Sequence, residues 1–431
     1  MKRMVSILLC IAIVVMCSYA SAEIESYRYE SLPDGTICIT DLVCSGKSIE
    51  IPETIDGFTV TQIKARAIRD SDAETVSFPN TITLIDGNPF EYLTSKKITT
   101  IRVAVDHPYL AVIDGGLFSK PDKKLIFLRH DGERELFQSA SYAVPNGIEI
   151  IGASASEYHG GLASVTIPSS VKTIEENAFN CNTQLRNVTF ETPSNLIVIE
   201  YEAFSECGKL SSVTLPEGLR TIGGCAFYHC PNLGTVYLPN TVSEIGGYAF
   251  AKCSSLRTLN LPDSVEYLGA GLVSESKIKA ELFIPRNVKE IEGGLGIASI
   301  SVDPDNEFFM VMDGFLITKD KTRLVQQVGN NRNVEIPSYI KTIGNRAFMF
   351  DEAVRTIVIS EGVEIIEDGA FWCDSITTIT LPKSVSTIGI NAFGYKPKLT
   401  LIVEAGSYAE EYAQAHNIKY TYNSNTDWLS Q

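Results

Sequence analysis

The chain has 431 residues, 44% hydrophobic and 20% charged, the balance of a folded rather than a disordered chain. Thirty-six basic against 52 acidic residues give a formal net charge of −16, which argues against a phosphate backbone, and so against nucleic acid, as partner. Five His and two Trp leave little material for a His-rich metal site or an aromatic cage; length alone suggests about three domains.

Lys2 and Arg3 precede an apolar stretch from Val5 to Cys17, followed by Ser-Tyr-Ala-Ser-Ala with Ala20 and Ala22 in an A-x-A arrangement. This order describes a secretory signal peptide over 1–22, cleaved after Ala22. The stretch is shorter than the ~20 residues of a membrane span, so no span is expected once it is removed. Loss of Lys2 and Arg3 takes the charge from −16 to −18.

Further on, the chain repeats itself. Pro216, Pro239, Pro262 and Pro285 end similar apolar strings and lie 23 residues apart each time. Between them recurs Ile-Gly-x-x-Ala-Phe, at 222–227 and 245–250, with variants at 174–179, 199–204, 343–348, 366–371 and 388–393. In one unit, Val213 and Leu215 read as inward residues of a short strand that Pro216 terminates, having no N–H. Leu219 and Ile222 form a second inward stretch, Gly223 allows a tight bend, and Ala226-Phe227 adds a small and a large core residue. Each repeat is then one coil of a solenoid, with neighbouring strands parallel at about 4.8 Å. A coil offers roughly six large apolar side chains worth about 1.5–3 kcal/mol each. Ordering its residues costs roughly 1.5 kcal/mol apiece, so a lone coil cannot fold.

The consensus L-x-x-V-x-L-P-x-x-L/V-x-x-I-G-x-x-A-F-x-x-C resembles the BspA-type leucine-rich repeat family. That resemblance implies a β-rich α/β leucine-rich-repeat solenoid, with a parallel sheet on a concave face and short strands and helical turns on the other sides. Residues 34–40 and 51–57 look like the family's N-terminal hairpin and first repeat. The expected organisation is a capping hairpin over 23–50, irregular repeats over 51–100 and a hairpin insertion over 101–145. Repeats then run over 146–300, a second insertion over 301–336, repeats over 337–403, a cap over 404–422 and a tail over 423–431. Ala67-Ile68 and Asn88-Pro89-Phe90 stand where the early coils should carry Ala-Phe. Residues 114–125 match 313–324 without a gap, each opening on an Asp-Gly that reads as a hairpin turn. In the cap, Ser407 suits a helix N-cap with Glu410 three residues on; Tyr408, Tyr412 and Ala415 share the face expected to cover the last coil.

Cys207, Cys230 and Cys253 are 23 apart and should stack in a column, where free thiols and disulfides are both sterically open. Cys38 and Cys44 read as flanking a turn of the N-terminal hairpin, the candidate disulfide of an exported chain. The cysteine column lacks a CxxC knuckle or nearby His, so no zinc site is expected. The residues 303–314 lack the Gly and Glu of a calcium loop, having Phe308 and Gly314 there. His130-Asp131 reads as a charged turn, and Asn187-Val-Thr189 as a glycosylation sequon on a strand. The expectation is a non-enzyme without catalytic residues, metal or cofactor.

What remains is surface. The residues flanking each central inward position should face solvent: Ser212 and Thr214, Thr235 and Tyr237, Thr258 and Asn260, Glu281 and Phe283, Thr356 and Val358, Thr378 and Thr380. Thr235, Tyr237, Thr258, Asn260, Glu281 and Phe283 form the candidate partner-binding face, with Tyr237 and Phe283 as anchors. The family resemblance implies a secreted or cell-surface protein engaged in adhesion or protein recognition, with a host extracellular protein among the expected partners. A glycan ligand is the alternative.

Overall fold

The computed structural model describes residues 23–69, 72–90, 97–129, 140–349, 352–394 and 397–423. The expected signal peptide, His130-Asp131 and the tail beyond Asn423 lie outside the described residues. The chain forms two compact units, Met1–Leu196 and Ile197–Gln431.

In the second unit the 23-residue period becomes strand register. Val198–Ile199, Thr221–Ile222, Glu244–Ile245, Tyr267–Leu268 and Glu290–Ile291 pair in that order, all parallel. A second ladder runs through the longer strands: Ser212–Thr214 pairs with Thr235–Tyr237, and Leu282–Ile284 with Ile300–Val302. Later coils continue it through Asn333–Ile336, Thr356–Ile359, Thr378–Thr380, Thr400–Val403 and Tyr420–Tyr422. Residues 256–260 keep the inward and outward alternation but form no strand.

The helical turns expected there are hydrogen-bonded turns that do not extend into helix, and among the described residues the one helix is Tyr408–Ala415. Their backbone is nonetheless bonded from coil to coil: Cys225 N–H donates to Gly247 C=O at 2.8 Å, Phe227 to Ala249 at 2.9 Å, and His229 to Ala251 at 2.9 Å. Cys225 and His229 adopt φ of 54° and 52°, so the turn uses left-handed residues without requiring glycine there. The glycine after the isoleucine has another cause. A Cβ on Gly246 would come within 2.4 Å of Gly224 N, so at this coil only glycine fits against the coil before.

Inside the turns, phenylalanine rings stack. Phe204, Phe227 and Phe250 follow at 5.4 and 5.5 Å, nearly parallel, and Phe348, Phe371 and Phe393 at 5.3 and 5.6 Å. All are buried.

The first unit opens on an antiparallel hairpin, Glu23–Ser31 with Ile37–Ser45, whose second strand passes in parallel to Phe58–Lys64. Ile68 bridges Phe90 in parallel, so these residues occupy the phenylalanine column of the early coils. The hairpin corrects the disulfide expectation. Cys38 and Cys44 lie on one strand, both buried and both free. Six residues of extended chain separate them by roughly 20 Å, far beyond the ~7 Å limit for a bridge.

Each insertion is a three-stranded antiparallel meander whose last strand rejoins the short ladder. Leu110–Ile113, Gly116–Ser119 and Lys124–Leu128 lead to Ile150–Ile151; Phe309–Met312, Phe315–Thr318 and Arg323–Gln327 lead to Thr342–Ile343. Asp114-Gly115 and Asp313-Gly314 all take positive φ, as a primed hairpin turn demands.

The closing helix is capped by Ser407, whose side chain accepts from Glu410 N–H, and Glu410 accepts from Gly406 N–H. Its buried residues are Ala409 and Ala413, with Tyr412 half-buried edge-on to Phe393 at 5.8 Å. Tyr408 and Ala415, expected on the covering face, are exposed. Two alanines one turn apart let the helix approach the last coil more closely than tyrosines would.

Candidate binding face

All six residues of the predicted face are exposed, and the residues alternating with them, Val236, Leu259 and Leu282, are buried. The alternation of a strand with one packed side produces this separation. The 23-residue register sets Thr214, Tyr237, Asn260 and Phe283 in one row and Ser212, Thr235, Thr258 and Glu281 in the other. Tyr237 is 60% exposed and Phe283 46%. Two coils separate them, roughly 10 Å at the spacing of parallel strands. Glu281 is the one charge in the two rows. In the later coils Val358 is exposed, while Thr356, Thr378 and Thr380 are half-buried.

The cysteine column is built as buried, free thiols. Cys230 Sγ donates to Phe204 C=O at 3.2 Å and Cys253 Sγ to Phe227 C=O at 3.1 Å. Each thiol thus bonds a carbonyl of the preceding coil. Burial pushes both thiols well above their ordinary pKa, and pushes Cys44 up to about 12, so thiolate chemistry is suppressed.

The histidines are scattered. His107 is buried, with Nδ1 accepting from Tyr109 and Leu110 N–H and Nε2 facing Pro79 C=O. His159 Nε2 faces Arg129 C=O, His229 pairs with Glu206 at 2.9 Å, and His416 stacks on Tyr412. Among the described residues no group of His, Cys, Asp and Glu could hold a metal. The region resembling a calcium loop is committed elsewhere: Asp303 accepts from Asp305 N–H and faces Arg286, and Asn306 is buried. Asn187 and Thr189 are exposed on strand Asn187–Phe190. No helix among the described residues is long and apolar enough to cross a membrane.

One feature escaped the sequence reading. A cavity of about 490 Å³ in the second unit is lined by Gln327, Gly296, Ile297, Met349, Glu275 and Glu352 among others. Its one sequence signal is Gln326-Gln327, standing where the aligned first insertion has Phe127-Leu128.

No curated protein matches the chain. Solved structures with a similar fold include a leucine-rich repeat protein from Eubacterium ventriosum, 21% identical over 62% of this chain and 67% of that one, with a TM-score of 0.45. The pneumococcal vaccine antigen PcpA is 19% identical over 90% of this chain and 82% of its own, TM-score 0.43. A leucine rich cell surface protein from Faecalibacterium prausnitzii is 19% identical over 92% and 98%, TM-score 0.37. The family described as BspA type leucine rich repeat region matches residues 42–120, 135–195, 188–295 and 323–413 in six copies. With most of its length in that match and its coils built to that repeat, the chain belongs to the BspA-type leucine-rich repeat family.

Proposed function

We propose that the chain is an exported, non-catalytic repeat protein that holds a protein partner on the face running from Thr235 to Phe283. The observation that carries this reading is the pair Tyr237 and Phe283, large apolar side chains held out to solvent in a nearly uncharged row. Aromatics in such a setting are favoured anchors, since they bring much area at little entropic cost. Membership of a leucine-rich repeat family supports it, because such solenoids present extended surfaces for protein recognition. Adhesion or recognition at the cell surface is the role this implies.

The test is capture of surface-labelled extracellular proteins by purified 23–431, run beside a glycan array. A protein ligand whose affinity falls at least about tenfold in the Tyr237→Ala, Phe283→Ala double variant is the expected result. An unchanged affinity removes the face from the proposal, and binding to glycans alone replaces the protein reading. Export is tested by sequencing the secreted protein, whose first residue should be Glu23.

A further inference from the structure

Inside the second insertion Gln327 buries a carboxamide without a hydrogen-bond partner among the described residues, where the first has Leu128. On the outside the two insertions agree. Each begins with a four-residue strand at the edge of its sheet, Leu110–Ile113 and Phe309–Met312, paired on one side only among the described residues. Register decides which backbone groups stay open. Lys120 N–H donates to Tyr109 C=O at 2.8 Å, and Lys319 N–H to Phe308 C=O at 2.7 Å. Every second residue from there faces the neighbouring strand, so Val112 and Val311 turn their N–H and C=O outward. Among the described residues the chain supplies neither pair with a partner. Beside Val311 it leaves a cleft of about 320 Å³, walled by Ile300, Val302, Pro304, Phe309 and Met310.

A bare apolar edge is a template for another strand, and folded proteins ordinarily blunt one with charge, proline or a bulge. The chain does so at its N-terminal edge, where Glu23–Ser31 carries Glu25, Arg28 and Glu30 and two register shifts. Leu-Ala-Val-Ile and Phe-Met-Val-Met have no charge, no proline and no register shift against the next strand. Apolar side chains stand in solvent at matching places: Tyr109 and Phe308, Val112 and Val311 are each 37–41% exposed. Other exposed positions differ between the insertions, Pro108 against Glu307 and Lys123 against Thr322.

Acid brackets both strands. Asp106 and Asp114 flank the first, Asp305, Glu307 and Asp313 the second, all exposed and none in an ion pair among the described residues. This charge opposes pairing with a second copy of the chain. In the antiparallel register that sets Phe309 against Val311, Asp313 falls opposite Glu307 at both ends.

We propose that the outer strand of each insertion accepts an extended segment of a partner protein as an added β-strand, bonded to the main chain of Val112 or Val311. The segment is apolar where it meets these valines and carries Lys or Arg toward the acids at its ends. One chain thereby holds two such segments. Neither strand shares a residue with the face from Thr235 to Phe283, so either proposal can fail without the other.

The experiment titrates ¹⁵N-valine-labelled 23–431 with acetyl-Lys-Thr-Val-Thr-Val-Lys-amide to several millimolar. The Val112 and Val311 amides, identified by their loss in Val112→Ile and Val311→Ile, should shift saturably. Val302, across the same cleft, should shift too and stop shifting in Val311→Pro. That proline removes an outward N–H and no ladder bond, and a melting curve confirms that the variant folds. Glu in place of both Lys should weaken the peptide at least about threefold. N-methylation of its two valines should abolish the shifts. The Tyr237→Ala, Phe283→Ala variant should bind as before. Absence of a saturable shift at both valines overturns the proposal, as do an unchanged Val302 shift in Val311→Pro and equal binding of the Lys and Glu peptides. Shifts that follow protein concentration without peptide would assign the edges to a second copy and overturn it as well.

Discussion

The two insertions share a framework and differ in what they enclose. In the first, His107 accepts two backbone N–H groups; in the second, Asn306 does so, taking Phe308 and Phe309 N–H at 2.8 Å each. Lys120 donates to His107 C=O, and Lys319 to Asn306 C=O, closing each meander at the same place. Lys124 reaches Glu175 at 2.7 Å, and Arg323 reaches Glu367 at 2.7 Å, each across an intervening coil. Glycine in that coil makes the reach possible: a Cβ on Gly152 would sit 2.6 Å from Lys124 Cε. The interiors diverge. Phe127 packs on Phe90 at 4.8 Å, whereas Gln326 and Gln327 occupy the matching positions in the second insertion. Backbone hydrogen bonds must be satisfied in any insertion of this shape, so the anchors recur in kind; the interior side chains are under no such constraint.

The largest expected effect comes from the anchors. Asn306→Ala strands two backbone N–H groups and the Val288 carbonyl, removes one of the two bonds to the Pro285 carbonyl, and should cost about 3–4 kcal/mol in urea unfolding. His107→Ala, with one fewer bond, should cost about 2–3 kcal/mol. A loss below about 1 kcal/mol for Asn306→Ala would break the claim that this residue holds the insertion.

Exchange of the interiors should be asymmetric. Leu128→Gln buries an amide among apolar side chains and should cost about 2–4 kcal/mol, whereas Gln327→Leu should leave stability equal or higher. Equal costs in both directions would mean that Gln327 has a structural partner.

The coil-spanning ion pairs come next. Glu367→Gln and Glu175→Gln should each cost about 1 kcal/mol, with Glu367 the larger because Arg323 grips it through two parallel bonds. Thermal melts of the two variants decide the order.

Acid should produce the smallest difference. Hydrogen bonds from Lys123 and Lys172 hold the Glu149 carboxyl down to about 2. Its contribution is therefore complete above the ordinary carboxylate pKa and is lost as pH falls toward 2. The second insertion has Thr322 and Lys341 at the corresponding places; its lowered carboxyl is Asp320, held down by hydrogen bonds from Thr318 and Thr322 and by no lysine. In a carboxyl NMR titration, Lys123→Ala should move the Glu149 midpoint upward; an unmoved midpoint would detach it from the first insertion.

Much of the fold was legible because its determinants are local. Val213, Pro216, Ile222, Gly223 and Phe227 each have a place in the coil set by neighbours a few residues away, and repetition then supplies the stacking partner. The exposed rows around Tyr237 and Phe283 follow from the same alternation. Cys38 and Cys44 were misread because a turn and a continuous strand differ little over six residues of this composition. The cap was misread because Tyr408 and Ala415 fit a helical face as well as Ala409 and Ala413 do, and only the last coil selects between them.

The sequence by itself determined the coil, its period, the two insertions and the exposed rows, since a 23-residue pattern of apolar, proline and glycine residues acts over short stretches of chain. Only the tertiary structure decided that the thiols of the column bond carbonyls one coil back, that the helix closes on its alanines, and that a cavity opens at Gln327. These depend on which residues of successive coils come to lie against one another. Where an insertion interrupts the period, that pairing is set by backbone register rather than by spacing along the chain.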